Sequence, residues 1–318
     1  MLRSFRLLVT LLLAVALAAC SGAASPGTPT GQVPSATASP TVSGGTSAPV
    51  SPSQPASSAS VTASASASAS PSTLASPSAG ETMVVRNYYF MEDASGGNPG
   101  LVPVERVVPK SVAVARAALT TLLVGPTAAE RAAKPPITTL IPDGTQLLGI
   151  DVAGGTATVD LSGTFTSNNA GFSAGGRMAQ VVYTLTQFPT VQRVAFTFDG
   201  KATTGAPSTR ATYRDTYQPP MFVDGPAWGA ALSDGERVSG EANVFEAQFR
   251  LALLGANGKT LLDRPVHATC GTGCWGTFSV TVAYATATAQ TGTLRVWDPS
   301  EKDGTPQNVR EYPVQLAP

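Results

Sequence analysis

Three cysteines and one histidine are the chain's strongest candidates for metal, redox or proton chemistry, and their spacing limits what they can do. Cys270 and Cys274 enclose Gly-Thr-Gly. In an exported protein such a pair reads as a small-loop disulfide. Two alternatives stay open. His267 could join the cysteines on a metal, but that supplies three ligands where structural zinc wants four. A redox pair would separate its cysteines by two residues, not three. His267 sits on a predicted strand, where a packed or exposed imidazole is the default reading.

The oxygen-bearing candidates are Asp143, Asp151, Asp160, Asp199 and Ser162, all near turns or strand ends. Asp-Gly is ordinary turn chemistry. No histidine lies between Glu81 and Thr204 to serve Ser162 as a base, so no serine–histidine–acid arrangement forms within that stretch. Glu241 and Glu246 fall on opposite faces of an alternating strand. Gly171 to Gly176 is Gly-rich before a helix. A helix N-terminus can hold an anion, but this spacing is neither a P-loop nor a dinucleotide fingerprint, and a flexible loop is expected. Tyr88, Tyr89 and Phe90 alternate across a strand, which can leave an aromatic exposed for binding or pack all three in a core. No catalytic residue, metal or cofactor is expected, and no enzyme.

Cys20 has a different role. Arg3 and Arg6 form a positive start, Leu7 to Ala19 is a short apolar run, and Leu-Ala-Ala-Cys20 ends it. This resembles a bacterial lipobox. The resemblance implies that residues 1–19 are a lipoprotein signal peptide and that Cys20 carries a thioether-linked diacylglycerol. The apolar run is too short to span a bilayer comfortably. More than one acyl chain would give stable anchoring. The expected location is extracytoplasmic, on the outer face of the cell membrane.

Residues 20–80 carry no charge and no aromatic group; they are Ser, Ala, Pro, Thr and Gly with few exceptions. Such a segment cannot offset its ordering entropy and is expected to be a disordered tether. Sixty residues of this kind reach about 40–50 Å. Beyond it, charge is balanced. Glu81 to Gly200 has eight basic and nine acidic residues, and Lys201 to Pro318 has ten and eleven. A nucleic-acid binder would show a basic face, and none is expected here.

The elements that position these residues follow from periodicity. In residues 81–204, strands are expected at Met83–Phe90 and Leu101–Val108. A helix capped by Ser111 runs to Val124, with Ala115, Ala118, Leu119, Leu122 and Leu123 on its apolar face. Ala128 to Thr139 reads as a polar connection. Gly154-Gly155 turns a hairpin between Gln146–Val152 and Thr156–Leu161. After a loop at Ser162–Gly176, a second helix runs from Arg177 to Phe188; Met178, Val181, Val182, Leu185 and Phe188 make its apolar stripe. Val191–Phe198 is the last strand. The order β-β-α-β-β-α-β predicts an α+β domain, two helices on a mostly antiparallel sheet. Residues 205–218 read as a short linker.

Residues 219–318 have period two throughout. Phe245, Ala247, Phe249, Leu251 and Leu253 alternate with polar neighbours; Phe278, Val280 and Val282, then Leu294 and Val296, then Tyr312, Val314 and Leu316 continue the pattern. Six or seven short strands predict an all-β sandwich.

Leu-Leu-Val-Gly-Pro-Thr127, Ile-Pro-Asp-Gly-Thr145, Ala-Thr-Val-Asp-Leu-Ser162, Ala-Gln-Val-Val-Tyr-Thr-Leu-Thr-Gln-Phe-Pro189 and Phe-Thr-Phe-Asp-Gly-Lys201 occur in this order. Together they resemble the GerMN domain of sporulation and germination lipoproteins. Ser-Gly-Glu-Ala-Asn-Val-Phe-Glu-Ala247 and Ala-Thr-Cys-Gly-Thr-Gly-Cys-Trp-Gly-Thr-Phe-Ser279 resemble the immunoglobulin-like domain of spore germination proteins. The resemblance implies a non-enzymatic binding or scaffolding lipoprotein of envelope assembly, sporulation or germination. Its expected partners are the membrane, through Cys20, and envelope proteins or cell-wall polymer. A cell-wall-active enzyme, a peptidoglycan-binding protein and ring-forming self-assembly through the first domain are the alternatives.

Overall fold

A ten-residue strand, β1 (Thr82–Met91), pairs antiparallel along its whole length with β2 (Gly100–Pro109), and much of the molecule packs around this hairpin. The computed structural model describes residues 80–168 and 171–318. The expected signal peptide, Cys20 and the tether up to Ala79 lie outside the described residues.

After the hairpin come the helices α1 (Val114–Val124) and α2 (Ala128–Ala132) and the two-residue strand β3 (Ile137–Thr138). β3 adds to the other edge of β1, giving the order β2-β1-β3. The strands β4 (Leu147–Ala153) and β5 (Thr156–Leu161) form a hairpin through Gly154 and Gly155. Both glycines have positive φ, 54° and 76°, as the tight two-residue turn demands. The helix α3 (Gly171–Leu185) then crosses over to β6 (Arg193–Phe198), which lies parallel to β5. β7 (Lys201–Ala202) completes a second sheet of order β4-β5-β6-β7. The class is α+β as expected, but its strands divide into two sheets.

α3 explains the division. Val181, Val182 and Leu185 are buried, as the apolar stripe predicts, but so are Gln180, Tyr183 and Thr184 on its other sides. Burying each large apolar side chain favours folding by about 1.5–3 kcal/mol, so the helix is pulled into the centre. Its polar side chains then have to find partners. They find the open edge of β1: Tyr88 N donates to Thr184 Oγ1 at 3.1 Å and Gln180 Nε2 to Tyr88 O at 3.0 Å. The helix thus takes the place of a neighbouring strand.

Several local expectations shift. α1 starts at Val114, and Ser111 Oγ accepts from Ala113 N at 3.0 Å in a turn, not as a helix cap. The stretch Ala128–Thr139, read as a polar connection, contains α2 behind a capping box. Thr127 Oγ1 accepts from Glu130 N at 3.2 Å and Glu130 Oε2 from Thr127 N at 2.8 Å. Gly171–Gly176 is the first part of α3, not a loop. A side chain at Gly175 would strike Tyr217 and one at Gly176 would strike Leu140, so these glycines allow close packing rather than flexibility.

The expected linker also holds a helix, α4 (Arg210–Tyr217). Then come β8 (Met221–Gly225), β9 (Ala231–Leu232), β10 (Arg237–Ala242), β11 (Gln248–Leu254), β12 (Thr260–His267), β13 (Gly276–Thr281), β14 (Gln290–Pro299) and β15 (Pro306–Leu316). They make one sheet of order β13-β10-β8 and another of order β12-β11-β14-β15-β9. Phe249 and Phe278 meet edge-to-face across the sheets, centroids 5.0 Å apart. The predicted alternation holds for Phe249, Leu251, Leu253, Leu294, Val296, Tyr312, Val314 and Leu316, all buried. It fails at Phe245, which is 51% exposed. Glu246 and Ala247 adopt positive φ, 51° and 58°, in a 3-10 turn that breaks the strand before it starts.

Candidate docking groove

The oxygen-bearing candidates are occupied with turns. Asp160 Oδ1 accepts from Thr197 Oγ1 at 2.8 Å and Gly200 N at 3.0 Å, and Asp199 Oδ1 from Gly163 N at 3.0 Å. Ser162 Oγ accepts from Gln146 N at 3.0 Å. Asp143 and Asp151 are exposed. Glu241 lies in β10 and accepts from Gln218 Nε2 at 2.9 Å, while Glu246 is on the 3-10 turn. His267 is exposed at the end of β12. Cys270 and Cys274 stand 5.8 Å apart, Cα to Cα, a separation that a disulfide spans. Among the described residues no three His, Cys, Asp or Glu side chains converge on a metal position.

Tyr88, Tyr89 and Phe90 are all buried, so none offers an exposed aromatic. Both faces of β1 are covered, and what covers Tyr88 comes partly from the second half. Tyr88 Oη donates to Asp224 Oδ1 of β8 at 2.5 Å. Arg210 of α4 stacks over Tyr88 and Tyr183, 5.1 and 4.8 Å from the ring centroids, and sits 3.6 Å from Asp224. Burial, reinforced by the Asp224 carboxylate, pushes the Tyr88 phenol well above its ordinary range. On the other side of the hairpin, buried Arg310 of β15 donates to Met91 O at 2.6 Å and Asn98 O at 2.8 Å. One apolar core runs through both halves without a break. In the linker, Arg214-Asp-Thr-Tyr217 followed by Pro219-Pro220 suggests some ordered contacts rather than free swing, but not these partners, which stand more than a hundred positions apart.

A broad concavity belongs to the first half. A groove of about 950 Å³ lies between the end of α1, β3 with the residues 139–142 that follow it, and the start of α3. Two guanidiniums line it. Arg177 is 3% exposed, lies 5.9 Å from the centroid of the Phe165 ring, and among the described residues its hydrogen bonds all go to carbonyls. Its Nε donates to Ser173 O at 3.1 Å, Nη1 to Ser167 O at 2.8 Å and to Phe165 O, and Nη2 to Asn168 O at 3.3 Å. Burial lowers its pKa. Arg131 is exposed and donates to Pro126 O. Neither pairs with a carboxylate among the described residues. Asp143 sits on the rim. In the sequence Arg177 is merely the first residue of the expected second helix. The only available signal was a lone cation in a segment otherwise small and polar.

Residues 87–204 match the model of the Germane family, described as sporulation and spore germination. Residues 221–305 match Gmad2, the immunoglobulin-like domain of bacterial spore germination. Among solved structures, the first GerMN domain of the sporulation protein GerM from Bacillus subtilis is 21% identical, with a TM-score of 0.29. That match covers 40% of this chain and 95% of that one. The tandem GerMN domains of the same protein are 18% identical, with a TM-score of 0.31, over 57% of this chain and 59% of that one. No curated protein matches the chain. Residues 87–204 are thus similar to the Germane family and residues 221–305, which follow them, to the immunoglobulin-like domain of bacterial spore germination.

Proposed function

We propose that this protein is a lipoprotein anchored outside the cytoplasmic membrane through Cys20. Residues 20–80 act as its tether, and its two domains, 81–204 and 219–318, dock onto envelope partners as one non-enzymatic scaffold. The observation that carries this reading is the continuous core through the two domains, locked by Tyr88–Asp224 on one side of the hairpin and Arg310 on the other. Two independently swinging modules would suit capture of separate ligands; a single body suits holding partners in a fixed relation. The domain types support a place in sporulation, germination or envelope assembly.

The test is crosslinking in living cells with the lipidated protein, followed by mass spectrometry. Capture of a defined membrane or wall protein is the expected result. Glycan fragments alone would replace the scaffold reading with a wall-binding one. Replacing Cys20 by Ala should release the protein from the membrane fraction; retention would overturn the anchor.

A further inference from the structure

We infer that the groove beside Arg177 takes an extended, acidic peptide segment of a protein partner. This deepens the docking role proposed above and rests on it. Three features of the groove each select part of the ligand.

The first is charge. Arg177 is a buried cation whose hydrogen-bond partners are neutral carbonyls, with no countercharge among the described residues. A buried charge without a countercharge costs free energy that an arriving anion recovers. Arg131 adds a second guanidinium on the same groove, so the wall is positive and Asp143 is the one acidic residue lining it. Guanidiniums fixed beforehand by carbonyl bonds lose little freedom when a carboxylate binds.

The second is the main chain. Thr139, Leu140 and Ile141 line the groove; Leu140 N donates inward to Gln180 Oε1 at 2.9 Å, which leaves the alternate residues Thr139 and Ile141, whose carbonyls accept no hydrogen bond from the described residues, to face an added strand. Unpaired carbonyls want N–H donors. A phosphate or carboxylate polymer lacks them, whereas an extended peptide carries one at each residue.

The third is position. The segment continues directly from β3, which is already hydrogen-bonded to β1 on its other side. A peptide laid along it would extend an existing sheet rather than build a new one. Carboxylates for Arg131 and Arg177, N–H groups for Thr139 and Ile141 and an extended backbone together describe an acidic strand.

The experiment uses the full chain and a fluorescein-labelled hexaglutamate peptide, with hexalysine and inorganic phosphate as comparisons. Hexaglutamate should bind in low salt and weaken steeply as salt rises. It should shift the carbonyl carbon resonances of Thr139 and Ile141 more than that of Leu140. Arg131→Glu should weaken binding about tenfold or more without moving the thermal midpoint. Arg177→Met should abolish binding too, but it also breaks a loop clamp, so Arg131 is the deciding variant. Equal binding of hexalysine, indifference to Arg131→Glu, or phosphate alone displacing the peptide at equal concentration would each overturn the inference. If these fail while crosslinking still captures an envelope protein through another face, the groove is wrong and the scaffold role stands.

Discussion

Gln187 grips the main chain of Arg86 in both directions: Arg86 N donates to Gln187 Oε1 at 2.8 Å, and Gln187 Nε2 donates to Arg86 O at 2.7 Å. The amide thus behaves like the backbone of an added strand. With Thr184 and Gln180 on Tyr88, the open edge of β1 is satisfied by side chains at i, i+4 and i+7 along α3 and the turn after it. Replacing Gln187 by Leu keeps the volume but leaves a half-buried donor and acceptor unpaired. A loss of about 1–3 kcal/mol in urea unfolding is expected. An unchanged midpoint would mean that water replaces the amide.

The two domains should unfold together. Arg310→Leu removes both bonds to the hairpin at Met91 and Asn98, and Asp224→Ala removes the partner of Tyr88 and Arg210. The double variant should turn a single calorimetric transition into two. A single transition that merely shifts would show that the apolar core alone couples the halves.

Glu130 should give the protein an acid-sensitive increment. Burial raises its carboxyl pKa, but the bonds from Arg106 and Thr127 outweigh burial and hold it below its ordinary value. Arg106 Nη2 is 2.7 Å from Glu130 Oε2. A pKa depressed on folding contributes stability above the unfolded-state value, lost as pH falls through the folded value. Glu130→Gln should therefore cost about 1–2 kcal/mol at pH 7. The gap to wild type should close on acidification below about pH 4.

At the alkaline end the sign reverses. Burial raises the Tyr88 and Tyr183 phenols above their ordinary range and pushes Tyr312 up to about 12. The neutral phenol is the form that the fold prefers. Stability is fully present below the unfolded-state value of about 10 and falls as pH rises past it. Denaturation followed by phenolate absorbance should begin near pH 10 and be cooperative. Gradual titration of these tyrosines without unfolding would contradict their burial.

With export as proposed, Cys270 and Cys274 should be oxidised. No thiol at either position should react before reduction. Breaking so short a loop should cost about 2 kcal/mol in the chain-entropy account. Reactive thiols in protein isolated from the envelope would return the pair to the metal or redox alternatives.

Most strands were legible because a half-buried strand must alternate, and Leu294, Val296, Tyr312 and Val314 do so without exception. The short helix α2 was legible and missed, since Thr127-Ala-Ala-Glu130 is a capping box on its face. α4 was not legible: Arg210, Arg214 and Asp215 look solvated, and their partners, among them Tyr88, Asp224, Glu241 and Trp275, are brought to them by the fold. Phe245 misled because positive φ at two non-glycine residues leaves no mark in an alternating pattern.

By itself the sequence determined the two domain types, their order, the apolar faces of α1 and α3, and the expected tether and anchor. These are local or compositional properties, set by periodicity, turn residues and the absence of core-forming side chains. Only the tertiary structure decided that Gln180, Thr184 and Gln187 complete a strand edge, that the linker becomes a helix welded between domains, and that Arg177 stands without a countercharge beside a groove. Each depends on which residues meet across long stretches of chain, 96 positions between Tyr88 and Thr184 and 219 between Met91 and Arg310. A hydrogen-bond partner at that distance is chosen by packing, and the local residue pattern does not record it.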